Sequence, residues 1–393
     1  MLRAGNTAFR VRDWMRVVAG RMGLDALTVR LALDSIVASA HRGREHATMV
    51  HEIDSPGVNV WRISALEEIA STNQSEITPG EFATKIAAIE ASPPLYSIAQ
   101  TCTAISVASA AFAFINGGTL LEVAVAAISG GTGQCLRTLL LRRRFNQYAV
   151  AVLCAIVAAS LYCLIASVSA CAGLGVARHA TGFISSVLFL VPGFPVIAAL
   201  LDLLQHQTVI ALQRLAYCAT MMVVAAIGLC VVTAVFGLSI DQPPPHQIEE
   251  PLKISLRALS SFGGACGFAI LFNIATRTLP VIGILSLVGN ELRLAMHDAG
   301  LMLPAATFLG ALTVGLLASL VRRHFNAPRI ALTTPGIIMM VPGFYAFEAI
   351  VLFTQGRILP GLNSAILVGF IVGALAGGLA AARFLTERKW LRE

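Results

Sequence analysis

Long apolar runs separated by short polar breaks dominate the chain after residue 94. Most runs have about twenty residues, the length at which an α-helix crosses the hydrocarbon core of a bilayer. The pattern therefore predicts an all-α polytopic membrane protein. Its ten predicted transmembrane helices cover 95–115, 119–140, 148–171, 180–203, 211–237, 255–275, 278–296, 300–320, 330–354 and 362–385.

The first 94 residues follow a different pattern and predict a small α+β domain, closed by two prolines. Ser64 with Glu67, and Thr78 with Glu81, have the spacing of a capping box, in which two side chains satisfy the first amides of a helix. The predicted elements are a helix at 7–22, strands at 27–38 and 48–53, and helices at 64–70 and 79–91.

The tetrapeptide Val-Pro-Gly-Phe interrupts two of the apolar runs, at 191–194 and again at 341–344. Proline removes a backbone donor and clashes with the preceding turn, so a helix kinks or ends there. Two broken helices in corresponding places of two halves indicate the binding site of a transporter. We therefore expect Pro192, Gly193, Pro342 and Gly343 to meet near the midplane and to line one shared site.

Other matches support an internal repeat. The two tetrapeptides are 150 residues apart, residues 289–293 resemble 133–137 at an offset of 156, and Asn273 follows Asn116 by 157. These offsets pair runs 1, 2 and 4 with runs 6, 7 and 9. Because five spans is an odd number, the second half must insert upside down, which predicts two inverted five-helix repeats.

Basic clusters at 142–144, 322–329 and 388–392 follow even-numbered runs, which places them in the cytoplasm together with the amino terminus. The predicted organisation is a cytoplasmic domain at 1–94, a first five-helix repeat at 95–237, a Pro-rich periplasmic linker at 238–254, and a second five-helix repeat with a short basic cytoplasmic tail at 255–393.

Composition agrees with a membrane protein, because 56% of residues are hydrophobic and only 12% are charged, against about 25% charged in soluble domains. The net charge of +7 comes from arginines at the ends of apolar runs, so we expect no nucleic-acid partner. The eight cysteines lie in or beside apolar runs without a C-x-x-C motif and are interpreted as packing residues. No P-loop, G-x-S-x-G or H-E-x-x-H motif occurs, which predicts no cofactor, no metal and no ATP-driven pumping.

Three histidines, His41, His46 and His51, recur every five residues near Glu52 and Asp54. A spacing of five alternates the faces of a strand, so the three rings are not expected to converge on a metal or a catalytic site. The sequence thus favours a protein that is not an enzyme. A membrane-anchored enzyme with a catalytic 1–94 domain is the alternative from another class.

Ionisable residues inside the apolar runs are candidates for transport, since a charge at the bilayer centre costs at least ~2.5 kcal/mol. Each either contacts the substrate or carries a proton, or else is a helix-end charge at the interface. Asp202 and Arg214 flank one short loop and can pair there, which favours a structural role for both. The candidates are Glu122, Asp202, Glu291 with Arg293, and Glu348.

Residues 130–133, Gly-Gly-Thr-Gly, interrupt the second run beside Gln134, and Asn290 follows a glycine at the equivalent place. Backbone amides freed at such a break bind a carboxylate, whereas small residues also favour close helix packing, and the sequence leaves both open. Arg137 and Arg293 end equivalent runs at opposite faces of the membrane. They act either as gates or as anchors.

Four stretches resemble the threonine/serine exporter family: HATMVHEIDSPGVNVWRISALEEIA from His46, INGGTLLE from Ile115, VPGFPVIAALLD from Val191 and MMVPGFYAF from Met339. The resemblance covers nearly the whole chain and rests on the order of these stretches. It implies a soluble cytoplasmic domain and two membrane modules, which are separate chains in relatives linked to succinate export and are fused here. It also implies proton-driven export of small hydroxy amino acids.

Within this resemblance, a carboxylate at Glu122 fits the family pattern, in which aspartate is common, and Glu348 has no match. The matching positions are Asn116, Gly117, Gly118, Glu122, Gln134, Arg137, Pro192, Gly193, Asp202, Arg214, Pro342 and Gly343.

We therefore predict a secondary transporter of the bacterial inner membrane, with both termini cytoplasmic, that exports L-threonine or L-serine as a proton antiporter. The substrate carboxylate is expected on amides freed at the broken helices, and its ammonium near Glu122. The predicted partners are the small-molecule substrate, protons and the lipid bilayer, with homo-oligomers left open. A dicarboxylate such as succinate is the alternative substrate, for which Arg137 and Arg293 are available, and a channel is a further alternative.

Overall fold

The structure is a computed structural model of the chain, and it describes residues 1–53, 57–71, 78–172, 180–237, 248–325, 327–387 and 390. Asp54, residues 238–247 of the predicted linker and most of the basic tail lie outside the described residues.

The amino-terminal region combines three helices with one small antiparallel sheet in the strand order β1-β2-β3. Gly43, with φ of +59°, adopts the left-handed conformation that the two-residue turn between β2 and β3 requires. The elements are α1 (Ala8–Arg21), β1 (Ala26–Leu31), β2 (Ser35–Arg42), β3 (Glu45–Glu52), α2 (Val60–Ser71) and α3 (Pro79–Ala91).

Two details of this region differ from the prediction. The strand predicted at 27–38 is a hairpin of β1 and β2, because the alternating pattern of the sequence continues through the turn between them. The Leu33 amide in this turn donates a hydrogen bond to the Gln213 side chain in the helix Thr208–Phe236. Ser64 caps nothing, since it lies inside α2 and its hydroxyl donates to the Val60 carbonyl at 3.1 Å. The capping box of Thr78 and Glu81 at the start of α3 is confirmed.

The remaining helices form a bundle in which two predicted spans are broken. Each break follows a short 3₁₀ turn, Leu188–Leu190 in one half and Ile338–Met340 in the other. The helices are α4 (Ile98–Ile115), α5 (Leu120–Arg142), α6 (Gln147–Cys171), α7 (Ala180–Ser185), α8 (Gly193–Leu204), α9 (Thr208–Phe236), α10 (Glu250–Leu271), α11 (Leu279–Asp298), α12 (Leu303–Phe325), α13 (Arg329–Gly336), α14 (Gly343–Thr354) and α15 (Ile358–Thr386).

Seven helices of the described chain are long and apolar enough to cross a membrane: α4, α6, α9, α10, α11, α12 and α15. The broken pairs around Pro192 and Pro342, bent by 65° and 48°, satisfy the same test as pairs, which gives up to nine spans. Helix α5 corresponds to the second predicted span, 119–140; it carries Glu122, Gln134 and Arg137 and is not among the helices that satisfy this test. A full set of ten spans therefore stays a prediction.

The backbone repeats with the offsets read from the sequence. Helices α14 and α15 begin 150 residues after α8 and α9, respectively, and have the same lengths. Asn273 and Gly117 both have a positive φ, so they are equivalent in the two halves at an offset of 156. The predicted match of Asn273 with Asn116, at an offset of 157, is therefore wrong by one residue. The left-handed residues recur as pairs, Gly117 with Asn273 and Arg144 with Gly300 at 156, and His206 with Gly356 at 150.

The equivalent helices α4 and α10 pack against each other and run in opposite directions. Tyr96, just before α4, donates through its hydroxyl to the Ile274 carbonyl, just after α10, at 2.6 Å. Gly264 of α10 packs against Ala111 of α4. A methyl group added at Gly264 would lie only 3.1 Å from the Ala111 Cβ. An antiparallel contact between equivalent helices is the relation expected of inverted repeats.

The amino-terminal region covers one end of the bundle. The Ala8 amide bonds to Asp202 at the end of α8 at 2.6 Å, and the Val60 amide bonds to the Phe272 carbonyl after α10 at 2.9 Å. Arg383, near the end of α15, lies over the Phe9 ring at 5.3 Å. The helix ends gathered here are those for which the sequence predicts a cytoplasmic position.

Candidate transport site

The two Val-Pro-Gly-Phe breaks meet directly. A methyl group added at Gly193 would lie 3.6 Å from Val341 Cγ1, and one added at Gly343 would lie 2.8 Å from Val191 Cγ2. Because these residues are equivalent at an offset of 150, each break packs against the other in the same way, as around a twofold axis. The predicted meeting of the two breaks is thus present in the structure.

The space between the breaks is small and apolar. It is lined by Gly193, Val191, Val341, Gly343 and neighbouring apolar side chains, and its volume is about 10 Å³. A space of this size holds at most about one water molecule. In this conformation, the breaks form a contact rather than the two walls of a substrate-sized site.

Glu122 is fully buried in the first turn of α5. Its carboxylate accepts hydrogen bonds from the Thr119 amide at 2.8 Å and the Thr119 hydroxyl at 3.0 Å, as the capping-box partner of that residue. The Tyr162 hydroxyl of α6 donates to its other oxygen at 3.3 Å, and Gly182 of α7 packs on the Tyr162 ring. Glu122 is therefore a carboxylate held in place where three helices meet.

Asn116, Gly117 and Gly118 build the turn that leads to Glu122. The Asn116 side chain donates to the Phe112 carbonyl at 2.8 Å and so ends helix α4. Gly117 has φ of +91°, and a methyl group at Gly118 would lie 2.8 Å from the Ala113 carbonyl oxygen. These residues are needed for the shape of the turn, which sets the position of α5.

Helix α5 runs continuously through residues 130–133, so the predicted interruption is wrong. A methyl group at Gly130 would collide with the Ser109 hydroxyl, and one at Gly133 would lie 2.7 Å from Phe189 Cζ. The glycines let neighbouring helices approach closely, and their amides belong to a regular helix. Of the two interpretations left open by the sequence, close packing is the correct one.

Gln134 and Arg137 follow these glycines on α5, within the next turn, and line a cavity of about 1120 Å³. Gln134 is 4% exposed, and its Nε2 donates to the Thr138 hydroxyl at 3.1 Å. Its Oε1 has no hydrogen-bond partner in the described chain. Arg137 likewise forms no hydrogen bond or ion pair with another described residue.

This cavity opens between the amino-terminal region and the ends of the membrane helices. Arg3, Arg62, Arg142 and Arg144 also line it, and Glu90 is the one acidic side chain among its described lining residues. The walls therefore carry an excess of positive charge. Clefts lined by one sign of charge concentrate ligands of the opposite sign.

The second half repeats the arrangement on α11. Asn290 is fully buried, its Nδ2 donates to the Ser261 hydroxyl at 2.8 Å, and its Oδ1 lacks a partner in the described chain. Arg293 follows three residues later, is 7% exposed, and has no hydrogen bond or ion pair to another described residue. This site lies toward the other end of the bundle, where Arg257 pairs with Asp298 at 2.5 Å.

Asp202 and Arg214 form the predicted ion pair, with 2.8 Å between Oδ2 and Nη1. Both are buried, and the pair is completed by the amino-terminal region. The Ala8 amide donates to Asp202 at 2.6 Å, and the Arg214 Nη2 donates to the Asn6 carbonyl at 2.6 Å. The pair therefore fixes α1 to helices α8 and α9, which is the structural role that the sequence favoured.

Glu348 is 6% exposed and accepts a hydrogen bond from the Ser364 hydroxyl at 2.8 Å. The equivalent position in the first half is Ala198, so this carboxylate has no counterpart there.

Glu122 lies far from Gln134 and Arg137 along α5. Glu122 and Arg137 are 137 − 122 = 15 residues apart on one continuous helix, which corresponds to about 22 Å at 1.5 Å per residue. Gln134 is nearly as far from Glu122. One threonine molecule cannot contact Gln134 and Glu122 at the same time, so these two side chains belong to separate sites in this conformation.

Several residues with a role here gave no signal in the sequence. Tyr162 is a single tyrosine in an apolar run, and Asn6 precedes the first predicted helix. His41 and His46 lie opposite each other on β2 and β3, and their ring centroids are 6.2 Å apart. No group of three residues that could hold a metal ion occurs in the described part of the chain.

Apolar helices long enough to cross a membrane, two mirrored helix breaks and buried polar groups along the bundle define a polytopic membrane transporter. The family model "Putative threonine/serine exporter" matches residues 1–236, and a second, described as "Threonine/Serine exporter, ThrE", matches residues 257–385. The chain belongs to the threonine/serine exporter family, with both modules in one polypeptide. No solved structure matches it.

Proposed function

We propose that this protein exports L-threonine or L-serine across the bacterial inner membrane in exchange for protons. Its ten spans form two inverted five-helix repeats, the 1–94 domain and both termini are cytoplasmic, and the linker at 238–254 is periplasmic. The observation that carries the proposal is the reciprocal contact of Gly193 with Val341 and of Gly343 with Val191. Two broken helices related by a twofold axis can exchange roles, which is the basis of alternating access in inverted-repeat transporters.

The substrate assignment rests on family membership, and the proton assignment rests on Glu122. This carboxylate is buried within the bundle and is held by Thr119 and Tyr162. Ionisable residues in such positions serve proton relays in transporters. Proton uptake and release at Glu122 would drive the return of the empty carrier.

Transport from liposomes loaded with radioactive threonine tests this assignment. Glu122→Gln is suitable because glutamine also completes a capping box, so the helix start is preserved while the carboxylate is lost. We expect the variant to keep threonine counterflow but to lose the acceleration of efflux by an imposed pH gradient. Glu250→Gln, which changes an exposed carboxylate paired with Lys253, is the matched control. Acceleration that survives in Glu122→Gln would show that coupling lies elsewhere.

Succinate export is the second candidate, and the basic lining of the 1120 Å³ cavity favours it. A counterflow screen of amino acids against dicarboxylates with the purified protein separates the two. Exchange of succinate without exchange of threonine or serine would replace the proposed substrate.

A further inference from the structure

We infer that Arg137 and Gln134 form a binding site for a free α-amino acid at the inner end of the 1120 Å³ cavity, with Arg137 holding the carboxylate and Gln134 accepting from the ammonium or hydroxyl group. This inference rests on the proposed function and assigns its cytoplasmic substrate site.

Both side chains have hydrogen-bonding capacity that no described residue uses. A buried polar atom without a partner costs about 1–3 kcal/mol, and an arginine at a membrane helix ordinarily pairs. Gln134 Oε1 is buried without a partner in the described chain, and the Arg137 guanidinium forms no hydrogen bond or ion pair with another described residue, yet both side chains line one cavity. At a separation of three residues they share one helix face, with Cβ atoms about 5–6 Å apart.

Thr138 determines the orientation of the Gln134 side-chain amide. Its Nε2 donates to the Thr138 hydroxyl, and that hydroxyl donates in turn to the Gln134 carbonyl at 2.9 Å. Thr138 Oγ1 has therefore used its proton, and it can only accept from the amide. This fixes Oε1 as the free atom, which is an acceptor and requires a donor from the ligand.

These two groups distinguish amino acids from dicarboxylates. A guanidinium binds a carboxylate in either ligand. An acceptor beside it is satisfied by an ammonium or a hydroxyl group, whereas a fully ionised dicarboxylate offers no donor and would face the lone pairs of Oε1. The pair thus fits a zwitterion better than succinate.

The second half of the chain contains the same arrangement independently. Asn290, at an offset of 156 from Gln134, also donates from its amide nitrogen to a hydroxyl, and its amide oxygen has no partner in the described chain. Arg293 follows three residues later and forms no hydrogen bond or ion pair with another described residue. The two sites lie toward opposite ends of the bundle. A substrate released from one could be rebound at the other after the broken helices exchange roles.

Binding of L-threonine to the purified full-length protein, measured by isothermal titration, tests the site. Arg137→Gln should weaken binding about tenfold to a hundredfold, as expected for loss of a charged hydrogen bond. Arg137→Lys should fall between, because it keeps the charge but loses the fork of donors. Arg142→Gln is the control on the same cavity wall and should change affinity by less than about fivefold.

Ligand analogues test each contact separately. Threonine methyl ester lacks the carboxylate, so its weak binding should be insensitive to Arg137→Gln. Gln134→Met keeps the size of the side chain but removes the acceptor, so it should weaken the binding of threonine without weakening the binding of succinate. Gel filtration confirms that each variant is folded.

The outcomes separate this site from the proposed function. Threonine transport by a folded Arg137→Gln variant with unchanged affinity would overturn the site and leave the proposed function standing. Binding of succinate alone, lost in Arg137→Gln, would overturn the amino-acid assignment of Gln134 and the proposed substrate but keep the carboxylate site. A folded wild-type protein that binds none of these compounds would overturn both.

Discussion

Gly193 and Gly343 occupy mirrored positions, each packed against the valine that precedes the Pro-Gly pair of the other half. Neither position has room for a β-carbon without movement. The neighbours differ in stiffness, however. The nearest atom to Gly193 is the flexible end of Ile338 at 2.8 Å, whereas Gly343 faces a methyl group of Val191, which is branched at Cβ, also at 2.8 Å.

Gly343→Ala should therefore cost more than Gly193→Ala, with a loss of about 1–3 kcal/mol in unfolding free energy from overpacking and a larger loss of transport. Adding Val191→Ala to Gly343→Ala should recover part of both losses by making space. Thermal unfolding in detergent and threonine counterflow measure them. Gly369→Ala, in an open position, is the control, and equal behaviour of Gly343→Ala and Gly369→Ala would show that the contact is unimportant.

Asp202→Asn should detach the amino-terminal region from the bundle. The substitution leaves Arg214 buried without its charge partner, a change that costs about 3–5 kcal/mol in comparable buried pairs. We expect a lower unfolding temperature and faster tryptic cleavage within residues 1–94. Glu250→Gln, in the exposed pair with Lys253, should change stability by at most about 1 kcal/mol. Unchanged protease resistance in Asp202→Asn would argue against this attachment.

Gly130→Ala tests whether the glycines of α5 serve packing or binding. The added methyl group would collide with the Ser109 hydroxyl, so stability should fall by about 1–3 kcal/mol although alanine favours a helix. Combining it with Ser109→Gly should remove most of the loss, which a double-mutant cycle measures as a coupling energy. Loss of transport at unchanged stability would instead indicate a role in binding.

We expect the stability of the fold to depend on pH through Glu387, which lies just after α15. Burial alone would raise the pKa of Glu387, but Arg383, Arg329 and Arg322 around it lower the pKa below its ordinary value. Its Oε1 lies 3.0 Å from Arg329 Nη1 and 3.1 Å from Arg322 Nη1. A group whose folded pKa is depressed stabilises the fold above its unfolded pKa, and this contribution is lost as pH falls through the folded pKa.

Glu387→Gln should therefore lower the unfolding temperature at neutral pH. The difference from wild type should shrink as pH falls below about 4.3, the unfolded pKa of a glutamate. Thermal unfolding as a function of pH measures this. A difference that stays constant down to acid pH would mean that the charge of Glu387 is not what stabilises this corner.

The sequence by itself determined what depends on local patterns. Apolar runs of membrane length, a proline in the middle of two of them, and the capping box of Thr78 with Glu81 are encoded by neighbouring residues, so they could be read without a fold. The repeat offsets of 150 and 156 were likewise visible, because a duplicated backbone keeps its spacing.

Only the tertiary structure decided how distant residues are used. A glycine run reads the same whether it breaks a helix or accepts a neighbour, and the packing of Ser109 on Gly130 settles that for α5. Asp202 could be assigned its partner Arg214 from the sequence, but not the Ala8 amide, which is 194 residues away. Arg137 and Gln134 were candidates from the sequence, but only the fold shows that Gln134 Oε1 lacks a partner among the described residues, because an unmet hydrogen bond can be recognised only when the neighbours are known.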